Sequence, residues 1–213
     1  MFSPSSDYNF TLPDCWTLSW VTTEEKQKRE IKEKLNWNDD KLVQIQKYSD
    51  DLFEKNILTW PNLFTNVDNL YKYLEFINVN LSDCLICSVS FPETEVEDLI
   101  KILKPENDRI GEPGIYKNIS QRNEEIRNQE NIYGFDIVGI EIGGIMYSSN
   151  QFGLRKWLQE NLNVKYNNYG LIDSIYHCYK VIDQINKTDQ FKDEVPWFIC
   201  RIDKEIRPTT AST

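Results

Sequence analysis

Among 213 residues there is one histidine, so any reaction that needs a histidine general base must run through His177. Asp173 stands one helical turn before it, where a carboxylate could orient the imidazole. Ser148, Ser149, Cys178 and Cys200 are the conceivable nucleophiles. The pattern is unspecific, because no G-x-S-x-G elbow leads into a helix, and a half-buried histidine bonded to its surroundings is the simpler reading. Two acids lie in the apolar run 133–150: Asp136 and Glu141. Glu141 is the more suggestive, since an ionisable group in an apolar strand must face solvent or find a partner. In a regular strand the two carboxylates point to opposite faces, so a paired acid/base role needs a bulge between them.

Other chemistry-bearing types fare worse. Cys84 and Cys87 form a CxxC, but in an extended strand the two sulfurs diverge, and neither a second CxxC nor a neighbouring histidine completes four ligands. They read as buried structural thiols, and no metal site is expected. Gly139, Gly143 and Gly144 lack both the following helix of a dinucleotide fingerprint and the Lys-Ser/Thr of a P-loop, so no cofactor is expected. These glycines mark a bulge, a bend or a tight hairpin.

Charge says more. The 34 acidic and 24 basic residues leave a net charge of -10, which repels nucleic acid and anionic membrane surfaces and attracts basic proteins. Glu93, Glu95, Glu97 and Asp98 open a helix, where acids favour the macrodipole. With Glu106 and Asp108 they are the candidate contacts for a basic partner. The first 22 residues carry no Lys or Arg and are broken by Pro4 and Pro13, so no secretory leader is expected, and no window is apolar enough for a membrane span. Five cysteines, an odd number, fit a reducing cytoplasm. The preference for Asn, Ile and Lys points to an AT-rich bacterial or viral genome.

The elements that must carry these residues follow from periodicity. Residues 15–21 alternate as a strand at a sheet edge, and a capping box at Thr22 and Glu25 opens a highly charged helix over 22–35. Asn38 or Asp39 caps a helix to about residue 55, with Leu42, Ile45, Leu52 and Phe53 on one face. Val67, Leu70, Tyr71, Leu74 and Ile77 make the core stripe of a helix over 66–77. A strand over 84–91, stopped by Pro92, leads into a helix over 93–104, and a long loop with a short helix fills 105–131. Residues 133–150 form one long central strand, or two joined at Gly143-Gly144. Helices over 151–162 and 171–185, separated by a turn at Asn167 to Gly170, and a strand over 196–203 complete the chain.

The expected fold is α+β: a single domain over 1–206, with a mainly antiparallel or mixed sheet of four to five strands and five to six helices, then a flexible tail over 207–213. Two functions follow as expectations. The first is a non-enzymatic cytoplasmic binding protein, of the immunity or antitoxin type, that neutralises a basic partner. The alternative is a small hydrolase or transferase using His177 with Asp173, or Glu141, in a cleft beside the central strand.

Overall fold

The computed structural model describes residues 15–18, 38–55, 57–59, 63–65, 67–78, 86–104, 119, 132–140, 146–149, 154–188 and 195–204. In chain order its elements are β1 (Cys15–Leu18), α1 (Asp39–Glu54), β2 (Leu58–Thr59), β3 (Leu63–Phe64), α2 (Val67–Ile77), β4 (Ile86–Ser90), α3 (Glu93–Leu103), β5 (Ile132–Ile140), β6 (Met146–Ser148), α4 (Leu154–Leu162), α5 (Ile175–Ile185) and β7 (Trp197–Lys204). The protein is a mixture of helices and antiparallel sheet. Every ladder is antiparallel, in the order β2-β3-β1-β4-β7-β5-β6.

Local chemistry explains where several elements begin and end. Asn38 caps α1 by accepting from Lys41 N at 2.8 Å, one of the orphan donors of the first turn. Helices α2 and α4 run out into Asn78 and Asn163, both left-handed with φ of 58° and 53°, a conformation that asparagine tolerates better than most side chains. Pro92 separates β4 from α3, where an extended residue before the helix suits its fixed φ.

Three expectations change. The run 133–150 takes the second of its two expected forms, a pair of strands, β5 and β6, with Val138 opposite Ser148; what changes is its place in the sheet. Residues 141–145 between them lie outside the described set, and β5 is second from one edge rather than central. Strand β1 is interior, between β3 and β4. Side-chain alternation reports which faces are covered and carries no information on whether both edges are paired. Finally, Leu171 and Ile172 do not begin a helix: Ile172 exchanges both backbone bonds with Phe135 at 2.8 Å, and α5 starts at Ile175. The sheet also exceeds the expected strand count, because β2 and β3, of 2 residues each, are too short to leave a period. The predicted helix over 22–35, the tail over 207–213 and, Ile119 excepted, the loop over 105–131 fall outside the described residues.

The sheet is covered on both faces. Val96, Leu99 and Leu103 of α3 pack on Cys87, Val89, Val138 and Ile202. On the other face α1 and α2 build one cluster with Phe64, while α4 and α5 build a second on Ile137 and Ile199. Register shows that these two clusters share a face. Phe64 lies across from Trp16, Trp16 from Ser88, and Ser88 from Asp203, which stands on the same side of β7 as Ile199.

Candidate functional site

Inside the protein, ionisable groups gather where strands end. On β5, Phe135 bonds to Ile172, and Ile137 O accepts from Ser149 N at 2.7 Å. The Ile137 N–H falls between these two contacts and has no strand to meet. Asp136 Oδ1 accepts it at 2.8 Å. The same carboxylate accepts from Ser149 Oγ at 2.7 Å, and its second oxygen accepts from Ser148 Oγ at 2.5 Å. Burial raises the Asp136 carboxyl to about 6, against the pull of these hydrogen bonds. At 1% exposure it is sealed from solvent and its acceptor sites are occupied. Ser148 and Ser149, considered as nucleophiles, are its donors.

Glu95 repeats the arrangement at β7, on the same face of the sheet as Asp136, which stands opposite Cys200. Strand β4 ends at Ser90, opposite Arg201, so the Ile199 N–H two residues earlier on β7 points past the strand end. Glu95, in the first turn of α3, reaches down and accepts that N–H at 2.8 Å. Burial lifts its carboxyl to about 7, and the Ile199 hydrogen bond pulls the other way. Glu95 is therefore a lining of the sheet rather than a surface charge. Of the acids expected to meet a partner, Glu93, Glu97 and Asp98 are exposed on α3, Asp98 with Lys101 at 2.7 Å, while Glu106 and Asp108 lie outside the described residues.

The histidine constellation does not assemble. Asp173 precedes α5, outside its helical geometry, and its carboxylate accepts from Asn167 Nδ2 at 2.7 Å. No hydrogen bond or ion pair joins it to the half-buried His177 among the described residues. Asn167 is the true centre of this turn: its Oδ1 accepts from Tyr169 N at 2.9 Å and Leu171 N at 3.1 Å, and its Nδ2 also reaches Tyr133 O at 2.8 Å. Glu141 and Cys84 lie outside the described residues. Cys87, Cys178 and Cys200 are buried, free thiols, raised first by burial. The charge of Asp136 adds to the last two, and that of Asp203 to the first. Such thiols are poor nucleophiles. Tyr166 is raised to about 12 by burial and then by Asp136.

One partly buried ion pair lies outside the expected set. Arg201 Nη2 and Nε donate to Asp203 Oδ1 at 2.7 and 2.9 Å, and Asp203 Oδ2 is buried with no partner among the described residues. The i, i+2 spacing in a strand was the available signal, since it sets both side chains on one face.

On the surface, the described residues expose few large apolar side chains, and α1 carries two: Val43 at 68% and Phe53 at 49%. Phe53, expected on the inward face with Ile45 and Leu52, looks outward. Around them stand the exposed acids Asp40, Asp50 and Glu54. Helix α5 exposes Tyr176 at 77% and Tyr179 at 40%. Because α1 and α3 cover opposite faces of the sheet, their acids do not merge into one surface. Among the described residues no three of His, Cys, Asp and Glu stand together as metal ligands, and no helix is long and apolar enough to cross a membrane. No protein-family model, curated protein or solved structure matches this chain.

Proposed function

We propose that this protein captures a basic protein partner in the cytoplasm and neutralises it, in the manner of an immunity protein or antitoxin. The observation that carries the reading is the outward face of α1, where Val43 and Phe53 lie open to solvent among Asp40, Asp50 and Glu54. Exposed apolar side chains gain by being covered, and the acids beside them favour a partner that brings positive charge. The net charge of -10 acts in the same direction at longer range, speeding encounter with a basic molecule.

The hydrolase or transferase reading has weaker support. It relies on a His177 and Asp173 pair that no hydrogen bond joins among the described residues, or on Glu141, which lies outside them. A pull-down from native cells with the tagged chain, washed at low and raised salt, tests the proposal. Capture predicts one basic protein whose recovery falls as salt rises. Recovery that is indifferent to salt, or recovery of acidic proteins only, would sink it.

A further inference from the structure

The capture reading leaves open what the partner presents, and the outward face of α1 is specific on that point. Asp39, Val43, Gln46, Asp50 and Phe53 follow one another at alternating spacings of four and three, which places them along a single stripe of the helix. That is the seam of a helix packed lengthwise on another helix. Beyond Asp39 it is apolar at Val43 and again at Phe53. Its middle is polar, with Gln46 Nε2 donating to Asp50 Oδ1 at 2.7 Å. Asp40, Lys47 and Glu54 recur at every seventh position along one flank. The opposite stripe, with Ile45 and Leu52, faces the core, and Lys41 is drawn inward, donating to Phe76 O at 2.6 Å.

Resting on the capture reading, we infer that α1 docks an amphipathic basic α-helix of the partner, laid along the seam from Val43 to Phe53. The occupant has two apolar anchors about 15 Å apart, the rise of the ten residues between Val43 and Phe53. It carries a basic residue opposite Asp50 and others opposite Asp40 and Glu54. A buried polar pair at the centre of such a seam sets register at some expense of affinity.

A second copy of this chain is the competing occupant, and charge argues against it. Laid antiparallel, two α1 seams set Asp40 against Glu54 of the other copy and Lys47 against its own counterpart. Laid parallel, they set Asp50 against Asp50 within the seam. Each arrangement adds like-charge contacts to two molecules that already repel at a net charge of -10 each.

The test uses a synthetic peptide of four turns with leucine along one heptad seam and lysine on both flanks, and a scrambled peptide of identical composition. Fluorescence anisotropy with the full chain is read at low and raised salt. The patterned peptide is expected to bind roughly tenfold more tightly than the scrambled one. Val43→Ser with Phe53→Ser should abolish that preference, while Glu93→Lys with Glu97→Lys on the opposite face of the sheet should leave it intact. Circular dichroism confirms that each variant folds, as exposed substitutions ordinarily allow. Equal binding of the two peptides overturns the inference, and so does a sedimenting dimer that the Val43/Phe53 variant dissolves. The pull-down separates this failure from failure of the capture reading. A basic protein recovered equally by the wild type and the Val43/Phe53 variant refutes the surface but keeps the capture. Patterned-peptide preference with no basic protein recovered supports the surface and counts against the capture.

Discussion

Asp136 and Glu95 show what a buried carboxylate can be for when it is not catalytic. Each accepts an N–H that a strand end leaves without a partner, Ile137 N for Asp136 and Ile199 N for Glu95. An unmet buried N–H costs about as much as a lost hydrogen bond, so an acceptor is needed at both points. A neutral amide would serve as well. Asp136→Asn keeps a carbonyl for Ile137 N and Ser149 Oγ and sets an NH2 against Ser148 Oγ, which can turn to accept, whereas Asp136→Ala strands all three. Urea unfolding should therefore place the alanine variant about 2 kcal/mol below the asparagine variant, at acid and neutral pH alike. Equal stabilities would mean that the carboxylate satisfies nothing of consequence. Neither residue announces this role in the sequence. Glu95 reads as one of four acids favouring a helix dipole, and Asp136 as half of a carboxylate pair with Glu141.

At the scale of elements, periodicity and caps were the legible part. The stripe Leu70, Leu74 and Ile77 and the cap at Asn38 stand where their spacing puts them. Residues 171–174 were not legible, because two adjacent buried residues, Leu171 and Ile172, also fit the inner edge of a helix. The deciding contact is with Phe135, 37 positions away in the chain. Gly134 belongs to the same junction. Its φ is 143°, and a Cβ there would lie 2.8 Å from Leu171 Cβ and 3.0 Å from Ile172 O. Backbone strain and collision act together, so Gly134→Ala should cost on the order of 3 kcal/mol. Asn38→Ala removes one capping bond at an exposed helix start and should cost about 1 kcal/mol. Thermal unfolding ranks the two, and a glycine variant no worse than the cap variant would mean that the 171–174 segment yields freely.

For the whole molecule, charge and burial combine in the response to pH. Asp136 is raised from its ordinary 3.8 to about 6 and Glu95 from 4.5 to about 7, so both ionise less readily folded than unfolded. Their protonated forms favour the native state fully below the ordinary carboxylate values, and that advantage is lost as pH rises through the folded values. Stability should fall between about pH 4 and 7, with Asp136 accounting for on the order of 3 kcal/mol. The Glu95 contribution is smaller for its partial exposure to solvent. Denaturant midpoints at pH 4.5, 6 and 7.5 read the slope, and Asp136→Asn should flatten it. Stability rising over that interval would contradict the assignment. By itself the sequence determined the mixture of helix and strand, the sign of the charge, the cap at Asn38 and inward stripes such as Leu70, Leu74 and Ile77, because these depend on spacing and composition along one segment. Only the tertiary structure decided which acids are sealed, that Asp173 and His177 do not pair, and that Phe53 looks outward. Each of those outcomes depends on where another segment ends, and a strand end 50 or 100 residues away leaves no mark in local pattern.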